Sequence, residues 1–158
     1  MKYPLEQIHD VRILREKNAM ARLQEAELIA QKCEQVVAAC EQAIEAYKIY
    51  MREKEEALYN ELIGKNVALV DVDTLALQIE SLQAHLLVLR QELQDAVEKR
   101  DAALKVVEQA KAEYQKMVKN RSKIDEHRTI WEKAAVEEII RREEEEIDEL
   151  GQSHTVSI

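Results

Sequence analysis

Residues 61–75 read Glu61-Leu62-Ile63-Gly64-Lys65-Asn66-Val67-Ala68-Leu69-Val70-Asp71-Val72-Asp73-Thr74-Leu75, and Gly64 is the one glycine between residues 5 and 150, a span that also lacks proline. Glycine takes left-handed dihedrals without steric cost and so suits the first residue past a helix end, with Lys65 and Asn66 continuing a polar exit. Asp71 or Asp73 can then accept the first free N–H groups of a second helix. With no other breaker in reach, the expected structure is helix one over about 5–63, a turn over about 64–72 and helix two over about 73–150. A short connection makes the helices antiparallel, so residue i lies opposite roughly 136 minus i and Leu5 opposite Trp131.

Working outward from the turn, each helix carries an apolar seam of coiled-coil spacing. In helix two the positions three and four apart are Ile79, Leu82, Leu86, Leu89, Leu93, Ala96, Arg100, Ala103, Val107, Ala110, Tyr114, Met117, Arg121, Ile124, Arg128, Trp131 and Ala135. Fourteen of these seventeen are apolar against 46% for the chain, which makes the register a signal and not a coincidence. In helix one the register is Leu23, Ala26, Ala30, Cys33, Val37, Cys40, Ile44, Tyr47, Met51, Lys54, Leu58 and Glu61. Leu5, Ile8, Val11 and Leu14 do not continue that phase, so a register slip is expected before Leu23. Arg100, Arg121 and Arg128 interrupt the second seam, as polar seam residues that fix register do. The fold class is all-α: two long helices forming an antiparallel coiled-coil hairpin over 1–151, with 152–158 as a flexible tail.

Composition agrees with this. The chain has 158 residues, 35% of them charged, no Phe and two Gly, the profile of long helices and not of a layered domain. Its formal charge of -9 repels phosphate, and no basic stripe with interleaved aromatics offsets it, so nucleic acid is excluded as a partner. No apolar run has the length of a membrane span and no hydrophobic signal region opens the chain, so a cytoplasmic protein is expected. Residues 137–149 carry eight Asp or Glu against Arg141 and Arg142, a docking tail for a basic surface or a solvated helix end. Beyond Ala135 a shifted stripe at Val136, Ile140, Ile147 and Leu150 leaves an amphipathic end without an internal partner.

No catalytic constellation is present. There is no glycine-rich phosphate loop and no clustered Cys/His set with zinc spacing, so neither a cofactor nor a metal site is expected and the protein is not an enzyme. Cys33 and Cys40 lie two turns apart on the seam, roughly 10 Å from each other, too far to bridge. His9 and His127 fall within reach of one another at the open end. Tyr47 and Tyr114 belong to the seam, whereas Tyr50 and Tyr59 lie off it and are candidate partner contacts.

Two stretches carry a resemblance. Tyr3-Pro4-Leu5-Glu6 followed by Ile8, Val11 and Arg15, together with Trp131-Glu132-Lys133-Ala134, Glu137-Glu138, the Glu143–Glu146 run and Asp148-Glu149-Leu150-Gly151, is similar to the YscO family of type III secretion proteins, the virulence counterparts of flagellar FliJ. The resemblance implies a monomeric stalk whose open end enters the hexameric secretion ATPase and which links it to the export gate protein and export chaperones at the base of the secretion apparatus. It points to Tyr3, Leu5, Ile8, Arg12 and Arg15 on helix one, and to Trp131, Lys133, Arg141 and Arg142 on helix two, as the ATPase-facing set. Tyr50, Tyr59 and His85 are the mid-helix positions for gate or chaperones. The competing expectation is an oligomeric coiled-coil chaperone or tether that binds clients along its length, which predicts seam residues pairing between chains.

Overall fold

A computed structural model describes residues 2–156, with side chains as far as Ser153. It contains two α-helices, α1 over Glu6–Leu62 and α2 over Leu69–Val156, and no strand among the described residues. Helical backbone thus runs through residues 152–156, which the sequence assigns to a tail; Ser157 and Ile158 lie outside the described residues. Contacts between the helices group into two compact units, Met1–Leu23 with Ala110–Ile158, and Gln24–Gln109.

The second unit contains the turn. Ile63 N–H donates to the Tyr59 carbonyl and Lys65 N–H to the Leu62 carbonyl, closing α1 before the chain reverses at Gly64, whose φ of 79° is left-handed. α2 begins four residues earlier than expected, at Leu69, because Asp71 works from inside the first turn. Its carboxylate accepts from the Ala68 N–H at 3.2 Å while its own N–H donates to the Ala68 carbonyl, one half of a capping box. Asp73, the other candidate cap, makes no hydrogen bond of this kind.

Within this unit the helices run antiparallel, with Ala26, Ala30, Val37, Ile44 and Leu58 of α1 buried against Leu86 and Ala96 of α2. Tyr47 donates its hydroxyl proton to the Leu82 carbonyl at 2.9 Å and sets its ring edge-on to His85 at 4.7 Å. Burial pushes the Tyr47 phenol up from its ordinary value, and Tyr50 adds to the same shift. The α1 seam departs from expectation near the turn: Lys54 and Glu61 are exposed, and Glu55 and Leu62 turn inward in their place. Two successive steps of four, Tyr47 to Met51 to Glu55, replace a three-four alternation and locally relax the supercoil.

The first unit joins the start of α1 to the later part of α2. Ala19 and Ile124 are buried here, and Leu23 and Met117 are half-buried. The register slip expected before Leu23 does not occur. Counting down from Leu23 in threes and fours gives Ala19, Glu16, Arg12, His9 and Leu5, and each is buried or half-buried, whereas Ile8, Val11 and Leu14 are exposed. The phase is continuous, and its seam residues become polar because α2 supplies polar partners for them.

Candidate partner interface

Those partners form a chain of cross-helix contacts. Arg121 of α2 forms an ion pair with Glu16 and donates to Asp125 at 2.8 Å, and Asp125 accepts from His9 Nε2 at 2.7 Å. Arg12 donates to the Asn120 carbonyl at 2.7 Å. One turn further, Arg128 reaches Glu6 at 3.3 Å and Glu132 at 3.1 Å. The Glu16 hydrogen bond and charge hold the Arg121 guanidinium above its ordinary value, and Glu132 foremost does the same for Arg128. Arg121 and Arg128 therefore pair across the helices from seam positions, whereas Arg100 pairs among the described residues with its neighbour Asp101.

Tyr3 closes this end. It is 5% exposed, bonds through its hydroxyl to His127 Nδ1 at 2.6 Å, and packs edge-on against Trp131 at 5.4 Å, with the Arg128 guanidinium over its ring at 5.7 Å. Tyr3 thus meets Trp131, two residues from the Leu5 pairing drawn about the turn. His9 and His127, expected within reach of one another, bond to Asp125 and Tyr3 respectively. Ligand atoms of Glu6, His9 and Asp10 lie within 4.8 Å of one another, but Glu6 is engaged by Arg128 and the His9 proton by Asp125.

Every described side chain from Ile139 to Ser153 is exposed. Arg141 and Arg142 fold back on Glu138 at 2.7 and 3.1 Å, and Arg141 also pairs with Glu145. The Arg141 hydrogen bond draws the Glu138 carboxyl below its ordinary value. The remaining carboxylates leave this segment strongly negative, and Val136, Ile140, Ile147 and Leu150 form an exposed stripe along it.

The residues singled out by sequence thus separate by what they can touch. Ile8, Arg15, Lys133, Arg141 and Arg142 are exposed, Leu5, Arg12 and Trp131 are half-buried, and Tyr3 is interior. Tyr50, Tyr59 and His85 are exposed in the second unit. The seam places of His9 and Glu16, and the role of Asp125, which binds His9 and Arg121, are not read from the sequence; only the unbroken three-four count down from Leu23 could have found the first two.

A family model described as type III secretion protein YscO matches residues 5–153. The chain belongs to the YscO family. No curated protein matches it. Among solved structures, a YscO homolog from Chlamydia trachomatis shares 24% sequence identity, covers 96% of this chain and 93% of its own, and superposes with a TM-score of 0.83. That likeness shows a shared fold. Membership in YscO makes this a type III secretion protein of an accessory and not an enzyme family, and no helix of the described residues is long and apolar enough to cross a membrane.

Proposed function

We propose that this YscO protein is a non-enzymatic coupling stalk of the secretion apparatus, cytoplasmic and monomeric, whose terminal end inserts into the hexameric secretion ATPase. The observation that carries this reading is the end of α2: residues 139–150 are exposed throughout, acidic, and striped with apolar residues at helical spacing. An exposed apolar stripe on an amphipathic helix favours an external partner, and its charge suits a basic lining. Ile8 and Arg15 of α1 and Lys133, Arg141 and Arg142 of α2 are the exposed side chains that would make that contact. Tyr3, Trp131 and Arg12 hold the end in shape, so their contribution is one of positioning. Contacts with the export gate and export chaperones fall to the other unit, where Tyr50, Tyr59 and His85 are accessible.

The test is the steady-state hydrolysis rate of the cognate secretion ATPase with and without this protein, at matched ionic strength, with mass followed by light scattering. Stimulation accompanied by a six-to-one complex supports the stalk. Absence of binding, with this protein running as a dimer or larger, transfers the weight to an oligomeric chaperone or tether.

A further inference from the structure

In the second unit α1 meets α2 through Ala30, Cys33, Val37, Cys40, Ile44, Tyr47 and Met51, each buried or half-buried. One residue before each member of that set, or about 100° around the helix, lies another run at three-four spacing. Ile29, Val36, Ala39, Ala43, Ala46 and Tyr50 compose it, interrupted only by Lys32, and all are exposed. The positions flanking this run on the side away from α2 are Leu28, Gln35, Gln42 and Ile49, and none is charged. At the chain's 35% share, about four of these eleven positions would carry charge; one does. In a coiled coil that ends at two helices the flanking positions are the usual place for Glu and Lys, whereas loss of charge marks the core of an interface.

The face also has a built pocket. Ile29, Lys32, Cys33 and Val36 of α1 and Ala96 and Lys99 of α2 line an open, largely apolar cleft of about 240 Å³ whose lining residues include two lysines. Neither Lys32 nor Lys99 forms an ion pair among the described residues, in a chain with nine more acids than bases. C-terminal to the pocket, the alanines at 39, 43 and 46 present no bulk, which allows another helix axis to come close.

We propose that this face of α1, from Ile29 to Tyr50, is a docking groove for a third helix contributed by another protein. That helix carries apolar residues at three-four spacing, one of which fills the pocket, and carboxylates along its flank that pair with Lys32 and Lys99. A second copy presenting the same face is a poorer occupant, since the charge it brings there is Lys32 and no carboxylate. The groove stands on its own geometry and is independent of the ATPase reading.

The probe is a fluorescein-labelled synthetic peptide of about three heptads, with leucine at the seam positions and glutamate on the flanks, and its twin with lysine on the flanks. Anisotropy is read against the full-length protein. The glutamate peptide is expected to bind more tightly than its twin by about tenfold or more, and K32E/K99E to reverse that preference. Val36→Asp, at an exposed position, abolishes binding of both peptides while circular dichroism shows unchanged helicity. Equal affinity for the two peptides, no binding of the glutamate peptide, or undiminished binding by Val36→Asp overturns the groove. So does a concentration-dependent dimer in sedimentation that Val36→Asp dissolves. Stimulation of the secretion ATPase by these variants stays at the parent level, so either reading can fail without the other.

Discussion

Arg121 of α2 and Glu16 of α1 pair across the helices at seam positions of both, where a coiled coil ordinarily places two apolar side chains. Each is half-buried, and Asp125 binds the other side of the same guanidinium. Removing one member leaves a partly desolvated charge without its partner, while removing both takes Arg121 only from Asp125, which keeps its bond to His9. Arg121→Met is expected to lower the melting temperature by a few degrees, and the double change Arg121→Leu with Glu16→Leu to restore or raise it. Thermal unfolding followed by circular dichroism decides this. Engineered cysteine pairs across the two helices should meanwhile trap more than one register in the double variant, because the specifying charge is gone; a single trapped register would count against the pair's specifying role.

Tyr47 makes a separable contribution in the other unit. Its hydroxyl donates to the Leu82 carbonyl, so Tyr47→Phe should cost about 1 kcal/mol in denaturant unfolding. The folded protein holds the neutral phenol more firmly than the unfolded chain does, since burial has pushed it above its ordinary value of 10.0. Its contribution is therefore complete below the ordinary tyrosine range and lost as pH rises through the raised folded value. Wild type should lose stability in that alkaline window more steeply than Tyr47→Phe, as phenolate absorbance and helicity measured together would reveal. Equal slopes would show that the phenol's shift does not contribute.

Ile8 and Leu5 distinguish contact from support at the terminal end. Ile8 is 44% exposed, while Leu5 is half-buried toward α2. Ile8→Asp is expected to reduce ATPase stimulation about tenfold or more with little change in helicity or melting temperature, because a partner must desolvate the new charge. Leu5→Asp should lower stimulation and local stability together. Full stimulation by Ile8→Asp would remove this face from the contact.

Gly64 has a left-handed φ, and nothing lies within 4 Å of the place a Cβ would occupy, so a side chain there meets open space and only backbone strain opposes it. Gly64→Ala is expected to cost about 1 kcal/mol, read in equilibrium unfolding, with the fold retained. A neutral or stabilising result would mean that the turn tolerates another conformation.

Much of the architecture was legible because apolar spacing and burial share one cause. All seventeen α2 seam positions from Ile79 to Ala135 are buried or half-buried, including its three arginines. The same logic misled at both ends of α1. Ile8, Val11 and Leu14 look like a seam, yet His9, Arg12 and Glu16 occupy it, because their energetics lie in partners more than a hundred residues away that hydropathy does not register. Near the turn, Glu55 replaces Lys54, where a step of four follows another step of four and no single side chain announces the change. The candidate interface was legible by residue type and not by role: Tyr3 and Trp131 look like anchors for a partner and serve as each other's packing.

The separation between partners along the chain also orders events in time. Tyr47 and Leu82 lie 35 residues apart, Tyr3 and His127 lie 124 apart, and everything between them must be arranged before the second pair can form. Closure of a longer loop costs more entropy, so pairing starts beside Gly64 and advances toward the termini. During synthesis α1 is complete before any of α2 exists, and it waits with its seam uncovered. In the finished molecule the order is expected to run backwards, the contacts of Tyr3 opening before those of Tyr47, which amide hydrogen exchange would show as faster exchange at the start of α1.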